Sequence, residues 1–290
     1  MSALLAGALG LSAALLSLPA AAAGGHHILW EVKGRHNTVY LLGSVHMLKP
    51  ADSELPSEAT SAYQQSKTLV MELDLSDPSA LAGLSGEMEM GLLPDGQTLQ
   101  TALGPDLYAR FSKQADALGI DPSITTRYQP WLAALMLEQV ELAKEGFDAG
   151  SGVDMQLAQR AETDGKPIIG LETIDDQLGI FTHLTLPQQR DYMRSTLDET
   201  ADAHETAQVV QAWEAGDTAA LERLLSEGSR DSPQLYQMLT TDRNRRWLPK
   251  ITQMLNADSN YLVVVGALHL IGHDGVIEML QRSGYNPVQH

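Results

Sequence analysis

Apolar residues follow two spacings along this chain, one typical of strands and one typical of helices. Near the amino terminus, apolar runs at 28–32 and 38–46 flank the turn-like segment KGRHN, which predicts a β-hairpin. A short helix is expected at 56–66, and the run TLVMELDL predicts a buried strand at 68–75. The folded part of the chain is therefore expected to begin with a β-β-α-β unit.

The middle of the chain is dominated by helical spacing, interrupted by a short strand predicted at 166–172. The predicted helices of this region are 104–118, 129–145, 152–164, 187–214, 217–227 and 232–256. The chain closes with a strand at 261–270, a helix at 274–283 and an edge strand at 285–288. Strand and helix alternation at both ends predicts an α/β fold, with a central mixed β-sheet flanked by helices and a long helical middle.

The first 25 residues contain no charged side chain and run from a Leu/Ala-rich stretch into Pro19 and small residues. This pattern predicts a secretory signal peptide at 1–25, and an uncleaved segment would instead anchor the protein to a membrane. Residues 26–290 are then expected to form a single domain. The predicted location is periplasmic or secreted.

Composition narrows the chemistry that this domain can perform. The chain has no cysteine, so disulfides and thiolate ligands are excluded and any metal must be bound by His, Asp or Glu. The formal net charge of -18 disfavours nucleic acid as a partner, because phosphate backbones would be repelled.

Two histidines occur in the same local setting, at VYLLGSVH and LVVVGALH. In each case an apolar run is followed by glycine, two residues and histidine, which gives Gly43 to His46 and Gly266 to His269. Reactive groups in open α/β sheets collect at strand ends, so His46 and His269 are expected to meet across neighbouring strands. Glu72 lies in an otherwise apolar strand, where a carboxylate needs a partner or a metal.

Two imidazoles and one carboxylate form a common three-ligand set for a catalytic divalent ion. By strand alternation, Asp74 is expected on the same face as Glu72. Other interpretations stay open, because a histidine at a strand end can be a hydrogen-bonded structural residue and Glu72 can belong to a structural salt bridge.

The chain resembles the TraB/GumN family, which is related to the TIKI proteases and more distantly to the erythromycin esterases. The resemblance is carried by motifs that span nearly all of the predicted mature chain, namely GSVH (43–46), MELD (71–74), GLET (170–173), TDRNRRW (241–247) and GALH (266–269). It implies metal-dependent hydrolysis of peptide or similar bonds, with a peptide or protein as the substrate. The implied ion is Mn²⁺ or Co²⁺, with Zn²⁺ as a further candidate.

The resemblance also implies roles for individual residues. His46, Glu72 and His269 would be the active-site residues and the metal ligands, and Arg243 and Asn244 would hold the substrate or a transition-state oxyanion.

Glu172 and Asp154 are candidates for supporting carboxylates. Asp154 could equally be a helix N-terminal charge favoured by the helix dipole.

A non-enzymatic interpretation remains. The same pocket could belong to a periplasmic peptide- or metal-binding protein, in which ligands capture a molecule without cleaving it. Metal content and hydrolysis in variants of His46 and His269 would separate the two functions.

Overall fold

A computed structural model describes residues 27–74, 77, 86, 89–199, 204–231 and 233–290. The predicted signal segment at 1–25 lies outside these residues. None of the helices in the described part of the chain is long and apolar enough to cross a membrane.

The described residues form one mixed sheet whose strand order is β4-β3-β5-β2-β1-β6. The strands are β1 (Leu29–Lys33), β2 (Thr38–Ser44), β3 (Thr68–Met71), β4 (Ile168–Gly170), β5 (Tyr261–Gly266) and β6 (Val288–Gln289). The four strands from β4 to β2 run parallel, whereas β1 pairs antiparallel with both β2 and β6. The mixed sheet and the opening hairpin are thus as predicted.

Helices surround this sheet and extend away from it through the middle of the chain. They are α1 (Ser57–Gln65), α2 (Leu99–Leu103), α3 (Pro105–Leu118), α4 (Pro122–Thr125), α5 (Pro130–Lys144), α6 (Val153–Asp164), α7 (Ile174–Thr182), α8 (Leu186–Glu199), α9 (His204–Glu214), α10 (Thr218–Asp231), α11 (Pro233–Tyr236), α12 (Asp242–Met254), α13 (Ala267–Leu270) and α14 (Val276–Arg282). A π-helical turn at Gln237–Thr241 joins α11 to α12. The α/β fold class with a long helical middle is confirmed.

The buried apolar residues of the described chain form two hydrophobic cores. The first lies around the sheet, where fully buried residues such as Leu41, Leu69 and Val263 fill the central strands. The second lies within the helical middle and is built on residues such as Phe111, Trp131 and Met193. Parallel strands buried on both faces read as continuous apolar runs, which is why β2 and β5 were recognisable in the sequence.

Several predicted boundaries were wrong. The strand expected to reach residue 270 ends at Gly266, and His269 lies in the short helix α13. The single helix expected at 187–214 comprises α8 and α9, and the one at 232–256 is divided by the π-helical turn. Helix α7 was missed because it occupies only nine residues between two predicted elements.

Candidate active site

Parallel pairing brings the two Gly-x-x-His segments to the same edge of the sheet. Strand β2 runs beside β5 with Ser44 opposite Gly266, so both segments begin where these neighbouring strands end. Strand β3 lies on the other side of β5 and ends at Met71, and Glu72 follows directly. The carboxyl ends of three adjacent strands therefore supply His46, Glu72 and His269.

Gly266 is the point on which these three side chains converge. A Cβ atom on this glycine would lie 3.4 Å from His46 Nε2, 3.5 Å from Glu72 Oε1 and 3.5 Å from His269 Cδ2. The absence of a side chain here leaves room for a small group between the imidazoles and the carboxylate.

The Glu72 carboxylate is buried and held from two sides. Its Oε1 accepts a hydrogen bond of 2.8 Å from the Gly266 backbone N–H, and its Oε2 accepts one from Arg243 Nη2. Burial raises the pKa of Glu72, but His269, Arg243 and His46 and the Gly266 N–H outweigh it and lower the pKa to about 2. Glu72 is therefore ionised at neutral pH.

The His46 imidazole is the open member of the group, with 60% of its side chain exposed. Its Nδ1 hydrogen-bonds Asp154 Oδ2 at 2.9 Å, which leaves Nε2 facing Glu72 Oε1 at 3.9 Å. Partial enclosure lowers the pKa of His46, but the hydrogen bond and charge of Asp154, together with the charge of Glu72, raise it to about 9. An imidazolium at this position is thus favoured at neutral pH.

Helix α6 carries Asp154 to His46 because its amino terminus packs closely against the end of β2. The Val153 N–H donates to the Val45 carbonyl at 3.1 Å, and a Cβ on Gly152 would lie only 2.1 Å from the His46 carbonyl oxygen. Glycine at 152 permits this approach. Asp154 also lies in the first turn of the helix, as the helix-dipole interpretation expected.

Helix α12 turns one face towards the site, and this face buries Arg243, Asn244, Trp247 and Ile251. All five N–H groups of the Arg243 guanidinium have acceptors within the chain. Nε donates to Glu172 at 3.1 and 3.2 Å, Nη1 donates to the Leu239 carbonyl at 3.3 Å and to His269 Nε2 at 3.2 Å, and Nη2 donates to Glu72 and Glu172. No donor of Arg243 is left over for another molecule.

Glu172 is the second buried carboxylate of the site. Besides Arg243, it accepts a hydrogen bond of 3.2 Å from Trp247 Nε1. Burial raises the pKa of Glu172 and outweighs the opposing attraction of Arg243. Because strand β4 ends just before it, Glu172 comes to the same sheet edge as Glu72, and its backbone N–H donates to the Glu72 carbonyl at 3.0 Å.

His269 is buried and fixed on several sides. Its Nδ1 lies 2.7 Å from Asn244 Oδ1, its ring centroid lies 4.5 Å from that of Trp247, and its Nε2 faces Arg243. Burial, with smaller contributions from the positive charges of Arg243 and His46, lowers the pKa of His269 to about 3 despite the opposing effect of Glu72. The imidazole is therefore neutral.

These contacts do not form a three-ligand metal site. Within the described residues, no group of three or more His, Asp or Glu side chains is arranged to hold a metal ion. His46 Nε2 and Glu72 Oε1 face each other, whereas Nε2 of His269 is hydrogen-bonded to the Arg243 guanidinium. Strand alternation does not relate Asp74 to Glu72, because β3 ends at Met71.

Sequence reasoning missed Gln177, Trp247 and Gly152. Gln177 Nε2 lies 3.4 Å from Glu72 Oε2, but helix α7, which carries it, was not predicted. Trp247 could have been found, because it follows Arg243 by four residues and so lies on the same helical face.

The profile of the TraB/PrgY/gumN family matches residues 28–289. The chain belongs to the TraB/PrgY/gumN family. No solved structure matches it significantly.

Three relatives illustrate what this TraB/PrgY/gumN protein is similar to. Uncharacterized protein YbaP of Escherichia coli (strain K12) is 27% identical over 271 residues, which cover 90% of this chain and 96% of YbaP. Metalloprotease TIKI1 of Danio rerio is 26% identical over 313 residues, covering 90% of this chain and 62% of TIKI1. Metalloprotease TIKI2 of Xenopus tropicalis is 24% identical over 323 residues, covering 90% and 59%. The chain thus spans about three fifths of its TIKI relatives.

Proposed function

We propose that this protein is an exported, metal-dependent hydrolase that cleaves peptide or similar bonds. Two relatives named metalloproteases support the reaction class. The uncharged segment at 1–25 supports export. The observation that carries the proposal is the series of three side chains, Asp154, His46 and Glu72, beside the methyl-sized gap at Gly266.

His46 is the residue we assign, together with Glu72, to binding the ion. Its exposed imidazole can reach a bound substrate, and Asp154 holds Nδ1 so that Nε2 is the reactive nitrogen. A neutral His46 would offer its Nε2 lone pair to the ion beside Glu72 Oε1, whereas an imidazolium could not. With a pKa of about 9, the basic form becomes more populated as the pH rises towards that value.

Arg243 and Asn244 act on the substrate indirectly in this proposal. The donors of Arg243 are committed to Glu172, Leu239, His269 and Glu72, so the guanidinium does not bind an oxyanion. Asn244 is likewise committed to His269 and to the Asp274 carbonyl, at 2.8 Å. Their role is to keep Glu72 and His269 in place.

Metal dependence is inferred from the relatives and from one contact in the site. It rests on the names of the TIKI relatives and on the facing pair His46 Nε2 and Glu72 Oε1. Because the described residues do not assemble three ligands, no catalytic step is assigned to an ion.

A peptide screen with added metals tests the proposal. The purified protein, stripped with EDTA, is incubated with a fluorogenic peptide library alone or with Mn²⁺, Co²⁺ or Zn²⁺. Cleavage should require one of the ions, and His46→Ala or Glu72→Gln should lower the rate about 10²- to 10⁴-fold, as expected for a lost active-site group.

His273→Ala is the matched control, since this histidine is exposed and its Nδ1 pairs with Glu278. Cleavage that persists in both site variants would refute the assignment. Peptide binding without cleavage under every condition would favour the binding-protein alternative.

A further inference from the structure

The two histidines of the repeated motif have different surroundings. His46 Nε2 faces an exposed space beside Glu72, whereas His269 Nε2 already accepts a hydrogen bond from Arg243 Nη1 at 3.2 Å. A nitrogen that holds a proton donor with its lone pair cannot use the same lone pair to bind a metal. The two histidines of the repeat therefore differ in whether Nε2 is free to bind a ligand.

Asn244 determines which nitrogen of His269 carries the proton. The Asn244 Nδ2 group lies between two carbonyl oxygens, those of His269 at 3.1 Å and Asp274 at 2.8 Å, so it must be the amide's donor end. The other end, Oδ1, is then an acceptor and receives the Nδ1 proton of His269 at 2.7 Å. Nε2 is left unprotonated and directed at Arg243.

Arg243 cannot leave His269 without disturbing the rest of the site. The guanidinium is rigid and planar, so Nη1 moves together with Nε and Nη2. Those two nitrogens are bound to the buried carboxylates Glu172 and Glu72. Withdrawing Nη1 would loosen charge-assisted hydrogen bonds in a buried setting, where an unpaired charge is strongly disfavoured.

Trp247 covers a further side of the His269 ring. Its ring lies 4.5 Å from the His269 ring, and the Arg243 guanidinium lies 4.8 Å from the same indole. His269 is consequently enclosed by Asn244, Arg243 and Trp247, and only 8% of its surface is exposed.

We infer that His269 is a positioning residue that holds Arg243, and that it does not ligate a metal ion. Its task is to fix Nη1, so that Nη2 of the same guanidinium stays on Glu72. An ion at this site would be bound through His46 and Glu72, with His269 outside its coordination. This inference rests on the proposed function for the presence of an ion, and it replaces the three-ligand assignment expected from the sequence.

Nitrogen-15 NMR of the histidine rings tests the inference in the unmodified protein. Long-range ¹H–¹⁵N spectra distinguish protonated, unprotonated and metal-bound ring nitrogens, and His269→Ala and His46→Ala assign the signals. We expect His269 to show a protonated Nδ1 and an unprotonated Nε2, and Zn²⁺ to shift the Nε2 signal of His46 while leaving that of His269 unchanged. A Zn²⁺-induced change at His269 Nε2 that matches the change at His46 would overturn the inference.

Calorimetric Zn²⁺ titration gives a second measurement. His46→Ala should abolish detectable binding, whereas His269→Ala should keep the stoichiometry and lose no more than about tenfold in affinity, the lower end for residues behind the ligands. Equal loss of binding in the two variants would contradict the inference. If the unmodified protein binds no ion, the metal part of the proposed function fails. The positioning role of His269 is then tested by its NMR spectrum alone, and a proton on His269 Nε2 would overturn that role.

Discussion

At the scale of single residues, neighbours rather than motifs decide what a histidine does here. The same Gly-x-x-His pattern yields one imidazole with a pKa of about 9 and one with a pKa of about 3. Asp154 accounts for much of the first value and burial for most of the second. The sequence predicted both positions, but not this difference, because Asp154 and Arg243 reach the histidines only through the fold.

Asp154→Asn should lower the pKa of His46 from about 9 towards the ordinary value of 6.5. The Asp154 carboxylate favours the imidazolium by its charge, so an uncharged amide of the same shape removes that preference. An NMR titration of the His46 ring measures the shift, and the pH profile of peptide cleavage should move to lower pH with it. Asp175→Asn, an exposed change in the first turn of α7, serves as the control and should leave the titration unchanged. An unaltered His46 pKa in Asp154→Asn would show that the contact does not control its protonation.

At the scale of secondary structure, the strands were easier to predict than their ends. Continuous apolar runs identified β2 and β5, because a parallel strand buried on both faces leaves a clear hydrophobic signature. The helical turn of α13 and the π-helical turn before α12 have no such signature, since tertiary contacts determine them. The site depends on these ends, because α13 carries His269 and the π-helical turn offers the Leu239 carbonyl to Arg243.

Substituting alanine for each glycine of the repeated motif should have different effects on stability and on cleavage. A Cβ on Gly43 would lie 2.3 Å from Ile28 Cγ2 and 2.9 Å from Ala267 Cα, so Gly43→Ala should destabilise the fold by about 1–3 kcal/mol through overpacking. A Cβ on Gly266 meets its neighbours at 3.4–3.5 Å, and its φ of -49° suits alanine. Gly266→Ala should therefore keep the free energy of unfolding within about 1 kcal/mol of the unmodified value while abolishing cleavage.

Urea denaturation and peptide cleavage, measured on both glycine variants, separate packing from function. The interpretation of Gly266 as the centre of the site would be abandoned if Gly266→Ala cleaved normally. It would be equally weakened if both variants unfolded at the same urea concentration, since the site would then be inseparable from the core.

At the scale of the whole molecule, the sheet topology brings together residues that are far apart in the chain. His46 comes from the opening hairpin, Glu72 from the next strand, and Arg243 and His269 from the final quarter. The order β3-β5-β2 places these segments side by side. The alternation of strands and helices at both ends of the sequence was enough to predict a mixed sheet. The second core in the helical middle could be predicted as helices, but their packing could not, because periodicity identifies a buried face without its partner.

Acid should destabilise the whole fold through Glu72. Its pKa in the folded protein, about 2, lies below the ordinary value of 4.5, so between these values the unfolded chain binds a proton that the folded chain does not. The stabilisation is present above pH 4.5 and is lost as the pH falls towards 2. Urea denaturation across this range measures the slope of the unfolding free energy against pH. That slope is proportional to the difference in bound protons between the unfolded and the folded chain, and Glu72→Gln should reduce this difference by up to about one proton. Glu278→Gln, which alters an exposed carboxylate paired with Arg282, is the control. Equal slopes in the unmodified protein and Glu72→Gln would mean that Glu72 is not what makes the fold sensitive to acid.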